Sequence, residues 1–163
     1  MRRVVIFGNS GSGKSTLANW LVKSESIAHF DLDEIAWLPC EVPKRAPVGQ
    51  SAVKIEEFTS FHEHWVIEGC YADLIELAAP LATEMIFLNL SVDDCVKNAK
   101  MRDWEPHKYA TKDAQDANLE MLISWIKDYP KRTDSCSLNA HLALYKNFDG
   151  KKRLVTTREK LDL

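Results

Sequence analysis

No apolar run in the sequence approaches the ~18 residues that a bilayer-crossing helix needs, so nothing in it reads as a membrane span. A basic excess is also missing: 21 Lys and Arg stand against 24 Asp and Glu, a net charge of -3. That balance gives no pull toward nucleic acid or an anionic surface, and neither is expected as a partner. Cysteine is sparse. Cys40, Cys70, Cys95 and Cys136 form no C-x-x-C pair, which predicts free thiols in a reducing compartment. His62-Glu63-His64 has no second ligand cluster to make it a metal site and reads as a solvated helix end. No internal repeat, low-complexity tract or linker interrupts the 163 residues, so one domain is expected, as a monomer or weak dimer. Met1-Arg2-Arg3 runs directly into an apolar strand, which predicts a cytoplasmic chain with no signal segment.

The composition is that of an ordinary globule, 45% apolar and 28% charged. The informative stretch comes at once. Val4-Val5-Ile6-Phe7 precedes Gly8-Asn9-Ser10-Gly11-Ser12-Gly13-Lys14-Ser15-Thr16, and Leu17-Ala18-Asn19-Trp20-Leu21 follows. Gly8, Gly13, Lys14 and Ser15 meet G-x-x-x-x-G-K-[ST], the Walker A or P-loop pattern, in its required setting of strand, turn and helix. Glycines let successive backbone N–H groups turn toward one anion, and the helix start adds its positive end. Lys14 can reach β- and γ-phosphates, and Ser15 can offer its hydroxyl to Mg²⁺. The dinucleotide fingerprint fails, because Thr16 stands where a third glycine is needed.

Further strands are expected at 27–31, 65–68, 84–89 and 153–156. The continuous apolar character of the first, at 3–7, suits a strand buried on both faces of a parallel sheet. Helices are expected at 13–23, at 51–61 with Ser51 as cap, at 73–79, and after Ser91, which pairs with Asp94 as a capping box. A long helix is expected at 113–128, capped by Asp113, with Ala114, Ala117, Met121, Leu122 and Trp125 as its apolar stripe. A last helix is expected at 135–147 with Leu138, Leu142 and Tyr145 inward. The Trp residues read as core. Strands alternating with helices give a three-layer α/β fold.

Phosphoryl transfer needs positioning and charge neutralisation. Glu68 ends the third strand and faces Ser15 and the Mg²⁺ shell if that strand lies beside the first. Asp31 and Asp33 end the second strand at the ligand edge. One of them can assist Mg²⁺ while Asp33 accepts a hydrogen bond from an acceptor hydroxyl, although Asp33 also fits as a helix cap. Arg102, Lys131 and Arg132 bracket a segment suited to a lid that closes over phosphates. Arg45 follows the second strand and can clamp an anionic group.

These residues give the sequence a resemblance to the adenylate kinase-like P-loop kinases over nearly its whole length. It is most similar to the branch called DNA topology modulation or adenylate kinase-related proteins, some of which carry shikimate kinase labels. The resemblance rests on Gly8 to Thr16, on Phe30-Asp31-Leu32-Asp33-Glu34-Ile35-Ala36-Trp37, and on Trp65-Val66-Ile67-Glu68-Gly69-Cys70-Tyr71. It continues to Arg102 and through Trp125-Ile126 and Tyr129-Pro130-Lys131-Arg132. It implies a five-stranded parallel sheet of order 2-3-1-4-5 and an ATP- and Mg²⁺-dependent kinase. It also implies an acceptor side at about 34–64, substrate contacts from Gly69 and Tyr71, a helical lid within 102–132, and adenine contacts from Thr156-Thr157-Arg158. The acceptor stays open between a hydroxyl and a phosphate. A nucleotide-binding regulator with little turnover is the alternative, and a plain ATPase or GTPase ranks last.

Overall fold

The computed structural model describes residues 1–157. Five strands form one parallel sheet: β1 (Arg3–Gly8), β2 (Ala28–Asp31), β3 (Trp65–Gly69), β4 (Glu84–Leu88) and β5 (Lys151–Val155), in the order β2-β3-β1-β4-β5. The pleat explains why the inner strands β1, β3 and β4 are mostly apolar, while the edge strands β2 and β5 carry His29, Asp31, Lys151, Lys152 and Arg153. Val5 and Phe7 join Trp65, Ile67, Met85 and Phe87 on one face. Val4 and Ile6 join Val66, Ile86 and Leu88 on the other. Both faces are covered, so period-2 alternation has no polar side to show.

Helix α1 (Lys14–Glu25) packs Leu17, Ala18 and Leu21 against the second face, with α5 (Val92–Lys100) beside it. Between them in sequence come α2 (Asp33–Ala36), α3 (Val48–Phe61) and α4 (Ala72–Ala78). Then follow α6 (Lys112–Ala117), α7 (Leu119–Lys127) and α8 (Leu138–Asn147). No helix among the described residues is long and apolar enough to cross a membrane.

Four helical expectations shift. Pro47, not Ser51, precedes α3; its fixed φ starts the helix a turn early, and the buried Ser51 hydroxyl donates to the Ile35 carbonyl at 3.1 Å. The single helix expected at 113–128 is two. Thr111, rather than Asp113, caps α6 by accepting from the Ala114 N–H, and Asn118 stands at the break with its amide donating to the Tyr109 hydroxyl. The face turns with the break: Ile126 is fully buried and Met121 is exposed. In α8, Ser137 is the cap, and His141 and Leu144 face inward while Leu142 is exposed. Among the Trp residues only Trp65 is in the core as a fully buried side chain; Trp20, Trp37 and Trp104 are at least 40% exposed. The Ser91–Asp94 cap is present, with the Asp94 N–H donating to Ser91 Oγ at 3.1 Å.

The turn after β1 is held by close packing. Gly11 has φ +76°, and a Cβ there would lie 2.3 Å from the Cys95 carbonyl oxygen. Gly11→Ala combines a strained φ with a backbone clash, and is expected to lower stability by about 2–4 kcal/mol. Urea denaturation should show this as a lower midpoint at unchanged slope.

Candidate active site

The helical ladder of α1 begins with the Leu17 N–H donating to the Gly13 carbonyl at 3.0 Å. The amides of Lys14, Ser15 and Thr16 therefore precede the ladder and stand open to an anion at the positive end of the helix. Gly13, at φ +93°, makes the sharp entry that a side chain would strain. The loop is tied down on three sides. Asn9 Nδ2 donates to the Ile126 carbonyl at 3.1 Å, Asn98 Nδ2 donates to the Gly11 carbonyl at 2.7 Å, and Lys14 Nζ donates to the Asn9 carbonyl at 2.9 Å. Asn9 Oδ1 and Ser12 Oγ are buried with no hydrogen-bond partner among the described residues. A rigid loop with open amides and an ammonium group at its mouth suits a polyphosphate.

Facing it are three carboxylates, Glu68 and Asp31 placed by strand register and Asp33 at the start of α2. Glu68 pairs with Ile6 on β1 and with Asp31 on β2. Register neighbours in a parallel sheet point to the same side, which brings Glu68 and Asp31 together toward α1. Ser15 Oγ donates to Glu68 Oε1 at 2.6 Å, and Glu68 is 1% exposed. Asp31 Oδ1 accepts from the Asp33 N–H at 2.9 Å, which starts α2 and leaves the Asp33 carboxylate free to turn outward. Asp33 is thus not the cap. Its Oδ1 accepts from the Tyr71 hydroxyl at 2.6 Å, and Tyr71 in turn accepts from Trp37 Nε1 at 2.8 Å. Its Oδ2 accepts from Lys108 Nζ at 2.9 Å.

Lys108 carries no motif, and it lies 3.7 Å from both Asp31 Oδ2 and Glu105 Oε1. Its only sequence signal was the i,i+3 spacing from Glu105.

The environments push the two aspartates apart. Burial, then the negative Glu68 and Asp33, raise Asp31 to about 6. Burial also pushes Asp33 upward, but the Lys108 ammonium and the Tyr71 hydroxyl outweigh it and hold the carboxyl below its ordinary value. Lys108 loses charge stability by burial, yet Asp33 and Asp31 hold its pKa above the usual lysine range. Burial keeps Tyr71 neutral and a donor. Two carboxylates with opposed shifts at one cleft are a common signature of divided roles.

Together the loop and the acids enclose a cavity of about 450 Å³. Ser10, Gly11, Gly13, Lys14, Ser15 and Thr16 form one wall, and Asp33, Glu68 and Gly69 form another. Segment 101–108 closes the mouth with Arg102, Glu105 and Lys108, and Arg102 Nη1 donates to Glu105 Oε2 at 3.2 Å.

Asp31, Arg45, Tyr71 and Arg132 are not on the wall. Arg45 pairs with Asp73 at 3.0 Å and lies 4.7 Å over the Tyr71 ring, so it braces Tyr71 from behind. Arg132 stacks 3.5 Å over the Trp125 ring and donates to the carbonyls of Trp125 and Cys136. A guanidinium committed to two carbonyls and a ring joins α7 to the turn before α8, and in this structure it does not face a phosphate site. Of the residues expected near adenine, Thr156 and Thr157 follow β5, whereas Arg158 lies outside the described residues.

No protein-family model matches the sequence, and no curated protein matches it. Solved structures do. A shikimate kinase from Acinetobacter baumannii in complex with shikimate is 12% identical, with a TM-score of 0.57 over 97% of this chain and 85% of that one. A gluconokinase from Sinorhizobium meliloti 1021 is 16% identical, with a TM-score of 0.55 over 98% of this chain and 85% of that one. A sugar kinase from Janibacter sp. HTCC2649 is 12% identical, with a TM-score of 0.54 over 99% of this chain and 90% of that one. The fold is that of the P-loop kinases. At such identities the likeness is one of architecture, and the chemistry rests on the residues above.

The raised pKa of Asp31 has a consequence for stability. The folded carboxyl holds its proton to about pH 6, whereas the unfolded one releases it near 3.8, so the folded state binds more protons between those values. The contribution is fully present below pH 3.8 and is lost as pH rises through 6. Asp31→Asn, which keeps an acceptor for the Asp33 N–H, is expected to be more stable than wild type by about 1–3 kcal/mol at pH 8. The difference should shrink toward zero by pH 4, as read by thermal melts across pH.

Proposed function

We propose that this chain is an ATP- and Mg²⁺-dependent phosphotransferase acting on a hydroxyl of a small-molecule acceptor. The observation that carries the reading is the opposition of Lys14 and Ser15 to Glu68 and Asp33 across one cavity. The sugar kinase, gluconokinase and shikimate kinase neighbours support an acceptor of small-molecule size. The segments Phe30 to Trp37 and Trp65 to Tyr71 support a place in the DNA topology modulation branch. The acceptor side is assigned to 34–64 with Gly69, and the lid to 102–132.

The open amides of 13–16 and the Lys14 ammonium would hold the phosphates, and Ser15, Glu68 and Asp31 would hold Mg²⁺. Bound ATP supplies the transferable phosphoryl group, and Mg²⁺ screens its charge. Asp33 orients the acceptor hydroxyl and accepts its proton, with Tyr71 and Lys108 fixing the carboxylate's position. Lys108 and Arg102, both on the wall, close the lid side and neutralise developing charge. Arg45 and Arg132 act through the fold, the first by bracing Tyr71 and the second by holding the α7–α8 turn.

The test is ADP release from ATP and Mg²⁺ across a panel of sugars, hydroxy acids and nucleoside monophosphates. One hydroxylated acceptor should stimulate release strongly, and Lys14→Ala should lower that turnover by roughly 10³-fold or more. ATP binding with no stimulation by any acceptor would overturn the reading, as would unchanged turnover in Lys14→Ala.

The two lid-side cations should separate. Lys108→Ala is expected to lower kcat by about 10–100-fold with little change in Tm. Arg132→Ala should lower Tm by several degrees while kcat per folded molecule stays within a few-fold.

A further inference from the structure

Outside the phosphate and carboxylate groups, one pair of reactive side chains has no role in the proposed chemistry. Cys70 Sγ and Cys136 Sγ lie 3.6 Å apart, from residues separated by 66 positions. Both thiols are free and almost fully buried, yet Cys70 forms part of the cavity wall. The other two cysteines have neither feature in combination: Cys40 is exposed, and Cys95 is buried under the opposite face of the sheet.

The backbones carrying the pair are already fixed face to face. The Ala72 N–H donates to the Ser135 carbonyl at 2.8 Å, and His141 Nε2 bonds the Cys70 carbonyl at 2.7 Å. Arg132 Nη2 donates to the Cys136 carbonyl at 2.9 Å, and the Cys136 N–H donates to Asp134 Oδ1 at 2.8 Å. None of these four bonds uses a sulfur. A disulfide needs sulfurs at about 2.05 Å, so closure asks the two sulfurs to approach by roughly 1.5 Å.

We propose that Cys70 and Cys136 are a reversible disulfide site, oxidised through the cavity by a small disulfide of the glutathione class. Of the two, Cys70 is the residue that lines the cavity. It donates a hydrogen bond to Cys136, which holds the Cys136 thiol below its usual range, while that same bond and burial push Cys70 up. The pair therefore shares its last proton. The shared proton passes to Cys136 as Cys70 attacks one sulfur of the small disulfide, forming a mixed disulfide and releasing one thiolate. That thiolate takes the Cys136 proton, and Cys136 then attacks Cys70 Sγ and releases the second. Two protein thiols and one small disulfide become one protein disulfide and two small thiols; the protein loses two electrons and the small disulfide gains them.

The link staples the segment after β3 that carries Tyr71 to the turn whose Ser135 hydroxyl accepts from Arg45 at 3.3 Å. On the proposed function, it thus acts on the acceptor wall.

The experiment incubates the full native chain with oxidised glutathione and maps peptides without reduction. The expected product joins the Cys70 and Cys136 peptides with loss of two hydrogens. It should melt roughly 5–10 °C higher than the reduced protein, and dithiothreitol should restore the lower Tm. Cys70→Ser and Cys136→Ser should each abolish both the link and the rise. Glutathione found on Cys40 while Cys70 and Cys136 stay thiols would overturn the proposal, because the reagent then works and the site does not. A product arrested as a mixed disulfide on Cys70, or a link that forms only in urea, would overturn it equally.

Discussion

The parallel register of β1, β3 and β2 is the constraint on which the site depends. It sets Ile6, Glu68 and Asp31 in one row across three strands. Ile6 continues the row into the core beneath α1, whereas Glu68 and Asp31 stop it at the edge where the helix begins. A carboxylate buried at 1% exposure is tolerable only if something satisfies it, and the Ser15 hydroxyl does so at 2.6 Å. The same hydrogen bond fixes the first turn of α1 against β3. One contact therefore orients the open amides at the start of α1 and the acid opposite them. A one-residue slip of β3 would turn Glu68 to the far face and dissolve the site.

Support comes from the opposite side of the sheet. His141 sits under the loop after β3, bonded to the Cys70 carbonyl and to the Tyr129 hydroxyl at 2.7 Å each. Burial lowers its pKa to about 4, so it stays neutral and can hold two partners at neutral pH without a buried charge. Phe7 and Phe87 pack their rings against it at 5.3 and 5.8 Å. The loop bearing Gly69 and Tyr71 is thus clamped from below by neutral hydrogen bonds and from the side by the Arg45 guanidinium. That rigidity lets Tyr71 and Lys108 hold the Asp33 carboxylate between two donors.

Much of this was legible in the residues, for identifiable reasons. A strand buried on both faces must be mostly apolar, so β1, β3 and β4 announced themselves, whereas β5 starts two residues earlier than expected because its exposed Lys151 and Lys152 carry no apolar signal. A phosphate loop needs glycine at fixed offsets, so Gly8 to Ser15 did as well. Glu68 could be read because a charged residue at the end of an apolar strand, followed by glycine, has few other uses. Residues whose role is set by distant neighbours were not legible. Lys108 matters because an irregular segment bends it back onto Asp31 and Asp33, and nothing in Glu105-Pro106-His107 encodes that bend. Arg132 looked like a lid cation, yet Trp125 and two carbonyls take its guanidinium. The break at Asn118 escaped a periodicity reading, since both helices are amphipathic and only the Tyr109 contact marks where one ends.

The contact between α1 and β3 can be tested without knowing the acceptor. Isothermal titration with ATP, with and without Mg²⁺, on wild type and Glu68→Gln measures it directly. The account predicts that wild type binds ATP more tightly when Mg²⁺ is present, and that Glu68→Gln still binds ATP but loses most of that gain. Equal affinity with and without Mg²⁺ in wild type, or an undiminished Mg²⁺ gain in Glu68→Gln, would contradict it.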